Sequence, residues 1–205
     1  MDKSRFDAFT DGVFAIAITL LVLEIHIPEL KDDGAASLED QMTRWLLHLW
    51  PSLLTYALSF ATVGIIWLNH HATFAPMKHL DRTMLALNLV LLATVCLVPY
   101  PTALLARYGA LPASTAFYGA VFLAMGCAYG ALFWYGARLQ HERSGVRMIT
   151  VKQFWIAQIG TVTYAVGTLV AFAFPIAALA LFVATTIFYA VEGIFAPQTS
   201  TVEAA

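Results

Sequence analysis

Six apolar runs follow one another along the chain with short polar connections between them, at 9–27, 46–68, 84–105, 116–137, 154–172 and 176–194. Roughly 20 residues at about 1.5 Å each match a ~30 Å hydrocarbon layer. None of the runs alternates strictly as a barrel strand does, and lipid admits only helices or closed barrels. The pattern predicts an all-α, polytopic membrane protein with six transmembrane helices. The last two meet at Phe174-Pro175, a turn so short that they form a tight antiparallel pair. With no internal duplication, residues 1–197 read as one six-helix transmembrane domain and 198–205 as a short polar C-terminal tail.

Composition strengthens this reading. The chain is 60% hydrophobic and 12% charged, with a mean hydropathy of +0.74, whereas soluble domains carry about 25% charge. Lys3 and Arg5 precede the first run as in a signal peptide. The following Glu24-Ile25-His26-Ile27-Pro28 offers no small-residue cleavage site, so a retained first helix is expected. Lys3, Arg5, Lys78, Arg82, Arg138, Arg143, Arg147 and Lys152 fall on one side of the membrane, against Lys31, Arg44 and Arg107 on the other. The positive-inside rule then puts both the N- and the C-terminus in the cytoplasm. The acidic first loop (Glu29, Asp32, Asp33, Glu39, Asp40) reads as solvated charge, and Cys96 and Cys127, inside apolar runs, as buried thiols.

The first run differs from the rest. Its uninterrupted apolar stretch, 13–23, is too short to cross alone, so the helix must take in Thr10 and Asp11 at one end and Glu24 and His26 at the other. An acid this near the membrane core belongs against protein or water, which predicts a central position in the bundle. At about 100° per residue, Phe9, Gly12, Val13, Ile16, Leu20, Leu23 and Ile27 share a face. Asp11 lies roughly opposite, with Ala15, Ile18 and Val22. By periodicity the apolar stripe has three readings: lipid-facing, packed core, or the wall of a hydrophobic pore.

Arg5-Phe6-Asp7-Ala8-Phe9-Thr10-Asp11, running into Gly12-Val13-Phe14-Ala15-Ile16, resembles the first helix of the transmembrane protein 175 family of potassium channels. That family carries an Arg, three residues, then Phe-Ser-Asp; here Thr10 stands for the serine and keeps its hydroxyl. Trp67, Asn69, His70 and His71 after the second helix and Pro99-Tyr100-Pro101-Thr102 late in the third extend the resemblance. It implies a homotetramer of single-repeat subunits in the cell membrane, each first helix lining a central pore for passive potassium flux. There is no Thr-Val-Gly-Tyr-Gly filter in the chain. Selection would then rest on apolar collars, with Ile16 as the constriction, Leu20 and Leu23 as further rings and Thr19 at the margin. Arg5, Phe9, Thr10, Asp11, Trp67, Asn69, His70 and His71 would form a supporting network, with Asn69 and His70 or His71 bonding the Arg5–Asp11 end of the helix.

Other classes fit less well. Adjacent His70 and His71 splay apart on a helix with no Cys or acid at ligand spacing, so no fixed metal site or cofactor is expected. Gly-x-Ser-x-Gly and His-Glu-x-x-His are absent, as are paired acids deep in any helix, which argues against an enzyme. A secondary transporter or a proton-leak pathway is the alternative; a transporter usually shows midplane charges and inverted repeats. The expected partners are further copies of the chain and the lipid bilayer, not nucleic acid. Gly119, Gly126 and Gly130 read as close helix packing, and Pro99 and Pro101 as a packing kink.

Overall fold

The computed structural model describes residues 2–30, 37–75, 77, 80–144 and 151–195, with the backbone alone at 144, 151–155 and 192–195. The elements are α1 (Lys3–Leu20), extended by a 3-10 turn (Leu21–Glu24), then α2 (Leu38–Leu47), α3 (Trp50–Phe74), α4 (Arg82–Leu97), α5 (Pro99–Tyr108), α6 (Pro112–Ser144), α7 (Val151–Val170) and α8 (Pro175–Phe195). Among the described residues, four rods are long and apolar enough to cross a membrane: Lys3–Glu24, Trp50–Phe74, Arg82–Tyr108 and Pro112–Arg143. The described parts of α7 and α8 are shorter apolar helices, Ile156–Val170 and Pro175–Val191. The fold is that of an all-helical, multi-pass membrane protein.

Several boundaries differ from the sequence reading. α1 begins near the chain start and tightens into its 3-10 turn, so Ile25 is already extended and Ile27 leaves the helical face. Pro28 disfavours helical backbone at Ile27, the residue before it, and so keeps the helix from resuming there. Leu46 belongs not to the second span but to α2, an extra helix inside the acidic loop, where Ser37 Oγ accepts from the Asp40 N–H at 3.1 Å. α3 starts at Trp50, with Pro51 in its first turn, and runs on to enclose Asn69, His70 and His71. Lys31, Asp32, Asp33, Lys78, Arg147 and the 198–205 tail lie outside the described residues. Cys96 and Cys127, expected as buried thiols, are both exposed on the isolated chain.

The centre of the subunit is α6, not α1. In the most apolar part of the α6 span 61% of residues are buried, against 28% for α1. α6 packs against α7, α4, α5, α8 and α3, whereas α1 rests on α3 and α4 along one flank. The glycines make this possible. A Cβ at Gly126 would lie 2.8 Å from Thr161 Oγ1, and one at Gly119 2.8 Å from the Phe182 ring, so α7 and α8 approach α6 more closely than any larger residue allows. At the Pro99–Pro101 break, Val98 closes a short turn onto Val95 O at 3.1 Å, and the α4–α5 rod continues through Tyr108.

Asp81 fastens the other end of that rod. Its Oδ1 accepts from the Met84 N–H at 2.8 Å and its Oδ2 from the Tyr135 hydroxyl at 2.5 Å. The Tyr135 bond first, then the Met84 N–H, hold the carboxyl below its ordinary pKa. The stabilisation is therefore complete above the unfolded value of about 3.9 and is lost as pH falls through the lower folded value. Asp81→Ala should cost about 0.5–2 kcal/mol at neutral pH. In thermal unfolding at stepped pH, its deficit against wild type should shrink below pH ~4.

Candidate functional site: the first helix and its anchors

α1 begins with an ion pair one turn apart, Lys3 Nζ to Asp7 Oδ2 at 2.8 Å, which favours helix from the first turn. Phe6, Thr10, Phe14, Ala17 and, in the 3-10 turn, Leu21 form its buried side. These positions recur at helical spacing about a third of a turn from the apolar stripe, so neither the stripe nor the Asp11 face is the packed one. Phe9, Ile16, Leu20 and Leu23 are 51%, 60%, 42% and 72% exposed. Gly12, Ala15 and Thr19 are exposed with them. Nearly half the circumference of α1 is therefore left uncovered by the described residues of its own chain.

The buried side is anchored by polar bonds inside an apolar junction. Asn88 of α4 donates from Nδ2 to Thr10 Oγ1 at 2.9 Å, and its Oδ1 lies 3.0 Å from His70 Nε2 on α3. With the amide in that orientation, His70 Nε2 carries the proton. The His70 ring sits between Phe6 and Phe14, at centroid distances of 6.2 and 6.1 Å, and on Phe74 at 4.5 Å. Thr10, His70 and Asn88 are all nearly inaccessible, so each bond is of the kind whose loss strands a buried polar group.

A second anchor lies toward the Asp11 side. Trp67 Nε1 donates to Asp11 Oδ1 at 2.8 Å. An indole N–H is donor only, so it suits a carboxylate, and the charge strengthens the bond. This is how an acid sits at the edge of an apolar helix with no cation paired to it among the described residues. Packing of Val13 and Ile18 against the core completes the contact.

The structure thus gathers Thr10, Asp11, Trp67 and His70, and adds Asn88, Phe6 and Phe14, which the sequence reading did not single out. Arg5, Phe9, Asn69 and His71 are exposed. Among the described residues Arg5 makes no ion pair, and no side-chain bond joins Asn69 or His71 to α1; the His71 ring lies 6.1 Å from that of Trp67. The Thr19 hydroxyl donates to Ile16 O at 2.8 Å. Asn88 had left a signal: an amide in the middle of an apolar run needs a partner.

An all-helical bundle with several rods long and apolar enough to cross a membrane, one of them pinned at its flank by buried polar bonds, belongs to the class of multi-pass membrane proteins. The comparisons make this specific. The family model described as endosomal/lysosomal potassium channel TMEM175 matches residues 5–99. A potassium channel of Streptomyces collinus is 43% identical over 146 residues, covering 68% of this chain and 67% of the relative. A potassium channel of a Chryseobacterium species is 32% identical over 182 residues, 89% of each. The crystal structure of a lysosomal potassium-selective channel TMEM175 homologue from Chamaesiphon minutus matches with a TM-score of 0.76 at 34% identity, over 92% of this chain and 96% of that one. The chain belongs to the TMEM175 family of ion channels; it is a multi-pass membrane protein and not an enzyme.

Proposed function

We propose that this chain is the subunit of a homotetrameric, potassium-permeable channel of the cell membrane. In this reading it has six spans with both termini cytoplasmic, and conduction is passive, with no cofactor. The observation that carries the reading is the uncovered half of α1. Its stripe of Ile16, Leu20 and Leu23 is exposed although the helix is firmly anchored behind. One helix encloses no conduit, so several copies are needed, and closed cyclic symmetry is the usual way to gather them. Exposed Gly12 and Ala15 beside the stripe let a neighbouring helix approach closely. Four copies would then stack three apolar collars, with Ile16 the narrowest. A cation meets a desolvation barrier there, and the Thr19 oxygen offers lone pairs at its edge. The similarity to proteins named as potassium channels supports potassium as the permeant ion.

Pore lining is tested with cadmium on single-cysteine variants, with Cys96 and Cys127 replaced by Ser. Leu23→Cys should make conduction cadmium-sensitive, because four thiols would converge on one axis. Leu169→Cys on α7, 73% exposed, should be insensitive. Equal responses, or block only at Leu169, would remove α1 from the pore. Aqueous thiol labelling at exposed Glu29 and Arg143 should report opposite sides of the membrane; labelling from a single side contradicts six spans.

A further inference from the structure

α2 is well closed at both ends yet rests on no other described element. Ser37 caps its start, its Oγ accepting from the Asp40 N–H at 3.1 Å and donating to Asp40 Oδ2 at 2.8 Å. At the other end the His48 N–H donates to Arg44 O at 3.2 Å. None of its ten residues is buried, and it makes no sustained packing with the rest of the described chain. A helix this short is marginal in water even with good caps, because most helical stability comes from packing an apolar face. Such a face is present. Leu38, Met42, Trp45 and Leu46 fall within about 100° of arc, with Asp40, Thr43 and Arg44 on the far side. Leu38, Met42 and Leu46 are exposed. Leu47 departs from the pattern, at the end where the chain turns toward α3.

The position of α2 says what covers this face. It joins two membrane-spanning rods, Lys3–Glu24 and Trp50–Phe74, on the membrane side where the first ends and the second begins. The 25 residues of α3 extend about 37 Å at about 1.5 Å each, more than a ~30 Å hydrocarbon layer, so Trp50 sits at the boundary between acyl chains and headgroups. Only His48 and Leu49 separate Trp50 from α2, whose last residue therefore lies within about 11 Å of it. Trp50, Leu53 and Leu54 are exposed, so the apolar face of α2 continues the uncovered start of a membrane-spanning helix. Tryptophan favours this depth, and Trp45 and Trp50 supply two.

We propose that α2 lies in the membrane–water boundary, with its Leu38, Met42, Trp45 and Leu46 face inserted among the lipids beside the start of α3. Its polar side carries both signs of charge, Asp40 and Arg44, so apolar insertion and not attraction to anionic headgroups holds it there. The inference rests on the membrane residence of the chain and is independent of conduction.

The test uses the full chain in phosphatidylcholine nanodiscs, with Cys96 and Cys127 replaced by Ser and nitroxide labels on single cysteines. Collisions are measured with oxygen, which partitions into lipid, and with a nickel chelate, which stays in water. Labels at Leu38→Cys, Met42→Cys and Leu46→Cys should favour oxygen, at depths of about 5–10 Å into the boundary. Labels at Thr43→Cys and Arg44→Cys should favour the chelate. When Met42→Asp and Leu46→Asp are combined, the label at Leu38→Cys should pass to the chelate, while the bundle melts as wild type because α2 has no buried residue. Low access to both reagents on the apolar face would place a second copy of the chain there. Chelate access on both faces would place α2 in water. Either result, or a loss of bundle stability in the double variant, would overturn the proposal.

Discussion

Ile16→Asn should raise potassium conduction about tenfold and lower the preference for potassium over sodium. Ile16 is 60% exposed on a helix whose other side is buried and bonded, so the change need not disturb the subunit. In a tetramer it would place four amides where four branched hydrocarbon chains had excluded water. An ion then keeps part of its hydration through the collar, and a barrier lower by about 1.4 kcal/mol is tenfold in rate. Ile18→Asn is the control. Ile18 packs partly against the core, where an unpaired amide costs about 1–3 kcal/mol. It should therefore reduce folded yield without a gain in current. Single-channel or flux recordings on protein matched for oligomer yield separate the two effects. Like behaviour of the two variants, or unchanged conduction in Ile16→Asn, would mean Ile16 is not the constriction.

Asn88→Leu should be the most damaging single change to the subunit itself. It removes the bond to Thr10 and the bond to His70 together. Both partners are left buried in an apolar junction, at about 1–3 kcal/mol each. A loss of several kcal/mol is a large part of what holds an ordinary domain folded, about 5–15 kcal/mol. The expected result is a sharp fall in folded yield and thermal stability in detergent, with α1 the first element to become protease-sensitive. Asp11→Asn should do far less, because an amide oxygen still accepts from Trp67, whereas Trp67→Phe loses that bond outright. Arg5→Ala and Asn69→Ala, at exposed positions, serve as references with little effect on stability. If Asn88→Leu melts with the references, the anchor is not what holds α1.

The long helices were legible in the sequence because length and apolarity decide spanning segments. Faces were harder to read. In a membrane helix nearly every side is apolar, so hydrophobic periodicity distinguishes packed from uncovered faces poorly. On α1 the stripe of Ile16, Leu20 and Leu23 and the buried row of Phe14, Ala17 and Leu21 are equally apolar, and only the fold separates them. Small polar residues carried the missing information: Thr10 and Asn88 sit in apolar runs because they bond each other. Within the single subunit α1 lies at the flank and not at the centre, because Asp11 needs one donor, which Trp67 supplies there. The glycines of α6 pointed to the true centre, since close approach on several sides requires them. α2 was obscured because the charges of its segment stood out more than the spacing of Leu38, Met42, Trp45 and Leu46.

The most direct test of the account is ion flux through the purified protein in liposomes. With a potassium gradient and a clamped voltage, the account predicts passive potassium flux that exceeds sodium flux, follows the electrochemical gradient without a coupled counter-ion, and comes from protein that migrates as a tetramer. No flux under any gradient, flux that requires a counter-ion, or a monomer in detergent and lipid alike would contradict it.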